Sequence, residues 1–295
     1  MVILLTGATG CLGRALVPEF ISAGHRVIVL VRPGSKFSDG GGCEVLEMDL
    51  RIPLEAKRLP SHCDAVVHVA QSREYHKLQG ALDIFRVNTA ATVELANYGA
   101  EVGAREFFLA STGSLYEPSP MPIPETGPIT ASNFYSASKL AAEQLLAPFA
   151  AVMTITIGRL FYLYGPGQHG KLLNDLAKRL KMNSAIDLQG EGGPLLTPTF
   201  SGDVAKLTRR AIEERWSGVY NMASSQVVTL QELAEEMGRV LGLVPMFVRN
   251  GSDAPIPVLP DLTKLKDRLI GLDFTTLKEG LDLTLLQVEQ GGTGI

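Results

Sequence analysis

The sequence predicts an α/β protein in which a doubly wound parallel sheet is followed by a smaller C-terminal lobe. Three observations predict this fold. A strand, a glycine-rich turn and a helix follow one another at the N-terminus, and continuous apolar runs then alternate with helical patterns. After about Gly165 the elements become shorter and are interrupted by glycine and proline. Continuous apolar runs are typical of strands buried on both faces of a parallel sheet.

The first two strands and the helix between them form one βαβ unit. Residues 2–5 are an apolar run that ends in a glycine-rich turn, and residues 12–23 carry apolar side chains at helical spacing. Gly24 ends this helix, and residues 26–31 form a second buried strand. The unit occupies roughly 30 residues, which is the length of a compact βαβ motif.

Strands and helices keep alternating after this unit. A helix over 230–241 is predicted late in the chain, because Thr229 and Glu232 form a capping-box pattern in front of it. The other predicted elements are strands at 65–69, 106–110 and 152–158 and helices at 84–100 and 136–147.

We expect two domains. Residues 1–164 form the sheet domain, which is completed by segments near 200–225, and residues 165–295 form a smaller, discontinuous lobe. Ligands of open α/β sheets bind at the carboxyl ends of the strands, so the predicted site is the cleft between the two domains.

The composition excludes several classes of protein. Among 295 residues, 27 Lys+Arg stand against 31 Asp+Glu, so the formal charge is 27 − 31 = −4. Hydrophobic residues make up 45% and charged residues 20%, which excludes a disordered or collagen-like chain. Because no basic stripe is available to neutralise phosphates, we expect no nucleic acid partner.

The cysteines and the apolar runs indicate the compartment. Cys11, Cys43 and Cys63 are an odd, widely spaced set without metal-ligand spacing, which is typical of a reducing compartment, and we predict no metal. The sequence opens without a signal-peptide pattern, and no apolar run approaches the ~18 residues of a membrane span. We therefore expect a cytoplasmic protein without a membrane partner.

A glycine-rich segment joins the first strand to the first helix. Gly7, Gly10 and Gly13 permit a tight turn and a close approach of the backbone, so that the helix N-terminus can bind a dinucleotide pyrophosphate. The alternative is a plain turn, but the position between strand and helix favours a Rossmann-type cofactor site. The cofactor-binding residues predicted here are Gly7, Thr9, Gly10, Cys11, Leu12 and Gly13.

The end of the second strand indicates which dinucleotide binds. In NAD sites an acidic residue commonly contacts the ribose 2′-hydroxyl, whereas this strand ends in Arg32 and is followed by Lys36. A cation there favours a 2′-phosphate, so we expect NADP(H), with NAD(H) as the alternative. Asp49 and Leu50 follow the third strand, where Asp49 either contacts the adenine amine or caps the backbone.

A tyrosine and a lysine one helical turn apart predict acid–base chemistry. Tyr135 and Lys139 stand at i and i+4 and share a helix face. The pKa of free tyrosine is about 10, and an ammonium group beside the phenol favours its ionised form. Ser111, Thr112 and Ser114 follow the strand at 106–110, where a hydroxyl can donate to the same substrate oxygen.

Taken together, these segments resemble the extended short-chain dehydrogenase/reductases of the NAD-dependent epimerase/dehydratase group, over nearly the whole chain. The resemblance continues in residues 68–70 as the fourth-strand motif, in Asn88 as a helix-buried asparagine and in residues 159–166 as the sixth-strand motif. Residues 201–204, with Asp203, and the late strand at 218–222 match two further segments of the family.

The resemblance implies roles for individual residues. It makes Thr112 the catalytic hydroxyl, Tyr135 the acid–base residue and Lys139 its activator, and it adds Val69, Ala70 and Asn88 to the cofactor-binding residues. Tyr135 and Lys139 are also expected to bind the cofactor, Lys139 at the nicotinamide ribose. Where sugar 4,6-dehydratases of the family carry Asp and Glu after the threonine, this sequence has Gly113 and Ser114. Elimination of water by that route is therefore not expected.

The substrate is expected to be a nucleotide sugar. Two departures from the family concern its diphosphate: the family's asparagine and arginine contacts fall here on Tyr162 and about Leu196. We expect other donors to replace them, and the candidates are His169, Lys171, Lys178 and Arg179. The predicted substrate-binding residues are Gln71, Arg73, Thr112, Gly113, Ser114 and Tyr162, and the proline-rich loop at 116–134 is expected to form one wall of the site.

The predicted chemistry is reversible hydride transfer at a hydroxyl or keto carbon, which yields an epimerase if the substrate is reduced again on its other face, or an oxidoreductase if it leaves. The alternative is an NADPH-dependent reductase of a non-nucleotide ketone or aldehyde. A more distant one is a non-catalytic dinucleotide sensor. The helix at 84–100 and the Tyr135 helix resemble the surface through which the family dimerises, so we expect a homodimer.

Overall fold

The computed structural model describes residues 1–37, 42–74, 78–168 and 172–290. Its centre is a sheet of seven parallel strands in the order β3-β2-β1-β4-β5-β6-β11. The strands are β1 (Val2–Thr6), β2 (Arg26–Val31), β3 (Glu44–Glu47), β4 (Ala65–His68), β5 (Glu106–Thr112), β6 (Thr154–Leu160), β7 (Leu163–Tyr164), β8 (Ile186–Gln189), β9 (Leu195–Leu196), β10 (Thr199–Phe200), β11 (Gly218–Met222), β12 (Val228–Thr229) and β13 (Phe247–Asn250).

Helices cover both faces of this sheet. The helices are α1 (Cys11–Ser22), α2 (Ala81–Ile84), α3 (Ala91–Glu101), α4 (Phe134–Leu146), α5 (Leu172–Lys181), α6 (Ser201–Glu213), α7 (Leu230–Leu241), α8 (Thr263–Lys266) and α9 (Leu277–Gln290). A π-helical segment, Phe85–Ala90, joins α2 to α3. The doubly wound Rossmann fold predicted from the sequence is confirmed.

Two apolar cores hold the helices to the sheet. On one face α1 and α6 pack through Leu16, Phe20 and Leu207. On the other face α3 and α4 pack through Leu95 and Leu146. All five side chains are at most 1% exposed, and a fully buried leucine or phenylalanine contributes roughly 1.5–3 kcal/mol to folding.

After a first segment that belongs to the lobe, the chain returns to the main sheet. Residues 201–222 supply α6 and the edge strand β11, which pairs with β6. The lobe has its own core, built around Leu176, Leu233 and Leu281 on α5, α7 and α9, with three two-stranded sheets at its margins. The division at 164/165 stays a prediction.

Several helix boundaries follow from capping groups. Asn133 and Ser136 cap each other at the start of α4, so this helix begins two residues before the predicted 136. Thr229 and Glu232 form the predicted capping box in front of α7. The strand β6 begins at Thr154 rather than at Val152, because a 3₁₀ turn occupies residues 147–151.

Within the described parts of the chain, no helix combines the length and the apolar character that crossing a bilayer requires.

Candidate active site

A cavity of about 710 Å³ lies at the carboxyl ends of the parallel strands, between the sheet and the lobe. The strand order reverses between β1 and β4, which is where open α/β sheets bind ligands. The cavity wall includes most of the residues predicted for the site: Gly7, Thr9, Gly10, Cys11, Leu12, Gly13, Arg32, Asp49, Leu50, Val69, Ala70, Gln71, Arg73, Thr112, Tyr135, Lys139 and Tyr162.

The glycine-rich turn is packed so closely that side chains have no room. Gly7 has φ +79°, and a Cβ atom there would lie 2.6 Å from the backbone nitrogen of Ala70. A Cβ atom on Gly13 would lie 2.1 Å from the carbonyl oxygen of Gly7. These contacts bring the turn against the end of β4. The N-terminus of α1 carries no side-chain cap and its first residues line the cavity, which is the arrangement of a site for a dinucleotide pyrophosphate.

The far end of the cavity carries an arginine–aspartate pair beside Arg32. The guanidinium of Arg51 donates to both carboxylate oxygens of Asp49, with Nε 3.0 Å from each and Nη2 2.6 Å from Oδ2. These hydrogen bonds hold the pKa of Asp49 below its usual range, and the charge of Arg32 acts in the same direction. Asp49 therefore stays ionised, and Arg32 is an exposed cation on the same wall.

The three predicted catalytic side chains all line the cavity, at the carboxyl end of β5 and on the first turns of α4. Lys139 is 2% exposed, and its Nζ donates to the carbonyl oxygen of Ala110 at 2.8 Å. The phenol of Tyr135, one turn earlier on α4, donates to Oε1 of Gln71 at 3.2 Å. Thr112 ends β5, and its hydroxyl accepts a hydrogen bond from the backbone of Ser114.

His68 lies behind this group and is neutral. It is fully buried at the end of β4, and its Nδ1 lies 2.7 Å from the hydroxyl of Thr6. Burial lowers the pKa of His68 to about 3, and the positive charge of Lys139 adds to the effect. The histidine thus adds no charge next to Lys139 near neutral pH.

Among the described residues, the lobe side of the cavity is largely apolar, although Tyr162 and Gln168 also line it. Its aliphatic residues are Leu160, Leu163, Leu172, Leu173, Leu196, Pro198 and Leu233. Of the predicted phosphate donors, Lys178 and Arg179 point elsewhere: neither lines the cavity, and Arg179 bonds to Ala185 and Asp187. His169 and Lys171 lie outside the described residues.

Comparisons with known proteins identify the family. The model of the NAD dependent epimerase/dehydratase family matches residues 3–223. The chain belongs to this family. A UDP-glucuronic acid decarboxylase of Arabidopsis thaliana is 25% identical over 309 residues, covering 98% of this chain and 68% of the relative.

Solved structures agree with this assignment in their fold. The Bordetella bronchiseptica enzyme WbmH in complex with NAD+ superposes with a TM-score of 0.86 at 20% identity, covering 99% of both chains. The UDP-glucose 4-epimerase of Thermus thermophilus in complex with NAD gives 0.83 at 23% identity, covering 99% of this chain and 100% of the other. The resemblance seen in the sequence is confirmed.

Three predicted site residues lie outside the cavity wall of this family member. Asn88 is fully buried: its Oδ1 accepts from the backbone of Ser72 at 2.9 Å, and its Nδ2 donates to the hydroxyl of Ser138 at 3.0 Å. It holds the loop after β4 against α4 and so stands one layer behind the cavity. Gly113 packs on the ring of Phe161, where a Cβ atom would come within 2.4 Å.

Ser114 is the third of these residues. Its side chain is exposed, and its hydroxyl shares a hydrogen bond of 2.8 Å with that of Thr112. Ser114 therefore orients Thr112 from outside the wall. The close packing of Gly113 also explains why this member of the family has no room for a carboxylate at that position.

The proline-rich loop at 116–134 does not form a wall of the cavity, contrary to expectation. Tyr116 stacks on Phe161 with ring centroids 6.1 Å apart, and Ile123 forms a bridge with Pro260. The loop packs against the ends of β6 and β11 because its aromatic and aliphatic side chains form a small core there.

Further polar residues of the wall escaped the sequence analysis. They are Ser35, Arg51, Ser72, Asp83 and Gln168. Arg51 stands two residues after Asp49, which is the spacing that lets it fold back onto that carboxylate. This spacing is the one local signal that the sequence offered for any of these residues.

Proposed function

We propose that the protein is an NAD(P)-dependent epimerase or oxidoreductase that acts by reversible hydride transfer at a hydroxyl or keto carbon of a nucleotide sugar. One observation carries the proposal: Thr112, Tyr135 and Lys139 line the same cavity as the glycine-rich turn. The names of the relatives support the substrate class, since they include UDP-glucuronic acid decarboxylases and a putative UDP-glucose 4-epimerase.

A nicotinamide dinucleotide fits the groups on the wall. Gly7 and Gly13 leave the backbone bare where a pyrophosphate is to approach, and the wall continues along Asp49 and Leu50 at one end and Val69 and Ala70 in the middle. When bound, the nicotinamide supplies the carbon that accepts and returns a hydride.

The protein's own residues handle the proton. Tyr135 takes the proton from the substrate hydroxyl during oxidation and returns it during reduction, while the hydroxyl of Thr112 orients the reacting oxygen. Lys139 keeps a positive charge beside the phenol and stabilises its ionised form. Because His68 is neutral, it does not add a second positive charge beside the Lys139 ammonium.

Arg32 supports NADP(H) as the preferred cofactor. It is an exposed cation at the end of β2, and the neighbouring Arg51 is already paired with Asp49. A ribose 2′-phosphate would therefore form its ion pair with Arg32. The solved neighbours are complexes with NAD, so NAD(H) is the competing cofactor.

The aliphatic lining of the lobe side supports a second candidate, an NADPH-dependent reductase of a non-nucleotide ketone or aldehyde. No cation among the described residues lines this side of the cavity, and burying a diphosphate against leucine side chains costs free energy. Tyr162 and Leu196 stand where family members carry polar contacts to the diphosphate. The sensor hypothesis has less support, since a protein that only binds dinucleotide needs no aligned Thr112, Tyr135 and Lys139.

The decisive experiment starts from the purified protein. It is denatured to identify any released nucleotide, and the native protein is titrated with NADP(H) and NAD(H). Turnover is then followed with UDP-glucose, UDP-glucuronic acid and a set of aryl and alkyl ketones, with Tyr135→Phe as the control.

Retained NAD and interconversion of a UDP-sugar would support an epimerase. An empty site that prefers NADPH and reduces ketones would support the second candidate. Binding of neither dinucleotide would refute both. The homodimer and the cytoplasmic location stay predictions.

A further inference from the structure

A buried ion pair connects α4 to the strands β5 and β6 behind the cavity. Arg159 on β6 and Glu143 on α4 are 4% and 7% exposed. The guanidinium engages both carboxylate oxygens, with Nε 3.1 Å from Oε1 and Nη2 2.6 Å from Oε2. The hydroxyl of Ser111 donates to the same carboxylate. Glu143 does not line the cavity, but Ser111 does.

The carboxylate belongs to a two-point attachment of α4. Lys139 donates to the carbonyl oxygen of Ala110, and Glu143, one turn later, accepts from the side chain of Ser111. Successive turns of the helix are thereby fixed to successive residues of β5. The next residue of that strand is Thr112, so the attachment sets the position of Tyr135 and Lys139 along the strand that presents Thr112.

Arg159 is itself immobilised on its other side. Its Nη1 donates to the hydroxyl of Tyr116 at 2.8 Å and to the carbonyl oxygen of Glu125 at 3.1 Å. The hydroxyl of Tyr116 in turn donates to Asn221 on β11 at 2.8 Å. Because a guanidinium has a fixed fork geometry, these contacts determine where the Glu143 carboxylate can lie.

We propose that Glu143, held by Arg159, is a positioning residue that sets Tyr135 and Lys139 at their working distance from Thr112. The proposal also implies that the Ser111 hydroxyl stays hydrogen-bonded to Glu143 and does not bind substrate. The inference rests on the proposed function, because it concerns the same proton transfer. Geometry matters here, since displacing reacting groups by about 1 Å can reduce a rate about 10²-fold.

The first test removes one hydroxyl without changing charge. Ser111→Ala is compared with Thr156→Val, which removes a buried hydroxyl bonded to the Trp216 carbonyl, away from the cavity. Ionisation of the Tyr135 phenol is followed by ultraviolet difference titration of the protein saturated with NADP+ or NAD+. For each variant, the spectrum of its Tyr135→Phe derivative is subtracted, so that the difference reports Tyr135. No substrate is needed for this readout.

For Ser111→Ala we expect the midpoint of phenol ionisation to rise by about half a pH unit or more, because Tyr135 moves with α4 while the Lys139 ammonium stays bonded to the Ala110 carbonyl oxygen on β5. Turnover of whichever UDP-sugar the wild type accepts should fall about fivefold or more, with KM and dinucleotide Kd within about threefold. Thr156→Val should leave the midpoint and the turnover unchanged.

The second test concerns the ion pair. Glu143→Gln alone leaves the charge of Arg159 buried without a counter-ion, so the informative variant is Glu143→Leu with Arg159→Met, which replaces the pair by apolar groups. We expect this variant to fold and bind dinucleotide, but to turn over about tenfold or more slowly. Adding Ser111→Ala should cause no further loss, because both changes break the same attachment.

The outcomes distinguish failure of the positioning role from failure of the proposed function. If the wild type binds dinucleotide and transfers hydride, but Ser111→Ala matches Thr156→Val, the positioning role is refuted alone. Additive losses in the triple variant would show that Ser111 acts on substrate directly and would also refute it. If the wild type binds no dinucleotide, the proposed function fails, and the inference with it.

Discussion

The hydroxyl of Tyr135 donates a hydrogen bond to Oε1 of Gln71, 3.2 Å away, although the two residues lie 64 positions apart in the chain. Gln71 comes from the loop after β4, and Tyr135 comes from the first turn of α4. A substrate oxygen that exchanges a proton with Tyr135 needs the same hydroxyl. Gln71 and the substrate therefore compete for it.

Replacing Tyr135 with phenylalanine removes this hydroxyl and keeps the ring. We expect turnover to fall about 10²-fold to 10⁴-fold, because a positioned acid–base group typically contributes that much. The dinucleotide Kd should stay within about threefold, since the other residues of the wall are intact. Stopped-flow or steady-state kinetics together with dinucleotide titration provide the two measurements.

The control for this variant is Tyr98→Phe. Tyr98 is buried and donates to the carbonyl oxygen of Pro60 at 2.9 Å, away from the cavity. Loss of that phenol should affect stability by about 1 kcal/mol and leave turnover unchanged. Equal turnover in Tyr135→Phe and wild type would remove Tyr135 from the mechanism.

Replacing Arg32 with serine tests the cofactor preference. Hydrogen bonds to charged groups contribute about 1.5–3 kcal/mol, so the variant should bind NADP(H) about tenfold to hundredfold more weakly. Its affinity for NAD(H) should change by less than about threefold. Calorimetric titration of both dinucleotides is the measurement.

Lys36→Ser is the matched control, because Lys36 is an exposed cation of the same segment that does not line the cavity. It should leave both affinities as they are. An Arg32→Ser variant that loses NAD(H) and NADP(H) equally would show that Arg32 contacts a group common to both dinucleotides.

The sequence predicted the parts of this molecule that are encoded over short distances. The glycines at 7, 10 and 13 mark a tight turn. The spacing of Tyr135 and Lys139 places both residues on one helix face. Apolar runs likewise predicted the strands of the main sheet, because such strands are buried on both faces.

The rest depends on contacts between distant segments. Leu196 and Leu233 reach the cavity wall through the pairing of β12 with β9 and the packing of α7, and the sequence predicted neither side chain as part of an apolar wall. Asn88 matches a motif, but its place behind the wall is set by Ser72 and Ser138. The helix α9 was not predicted either.

His68 makes stability depend on pH. Its pKa in the folded protein, about 3, lies below the value of about 6.5 in an unfolded chain, so the unfolded state binds a proton first as the pH falls. The stability contribution is fully present above about pH 6.5 and is lost progressively below it. Between pH 7 and pH 5 we expect a loss of about 2 kcal/mol from this residue.

Urea denaturation at pH 7 and pH 5 measures the effect. His68→Gln should reduce the difference in unfolding free energy between the two pH values, while keeping a hydrogen-bond partner for the Thr6 hydroxyl. His62→Gln serves as the control, since the side chain of His62 is 63% exposed. If both variants show the wild-type dependence on pH, other groups are responsible for it.

Tyr162 decides between the two candidate substrates. Its φ of +38° lies in the left-handed region, where a bulky residue is strained and asparagine is tolerated, and the residue is 41% exposed on the cavity wall. Tyr162→Asn should therefore be as stable as the wild type, or more stable by about 0.5–1 kcal/mol. It also introduces a hydrogen-bond donor where nucleotide-sugar enzymes of the family contact the diphosphate.

For a nucleotide sugar we expect Tyr162→Asn to lower KM about threefold or more, because the amide can donate to the diphosphate. Tyr162→Phe is the comparison: it keeps the ring and the strained backbone, so it should leave KM for a UDP-sugar within about twofold. Thermal denaturation and steady-state kinetics with UDP-glucose measure both effects. If Tyr162→Asn instead raises KM for a ketone that the wild type reduces, the apolar wall is the recognition surface, and the reductase is the correct function.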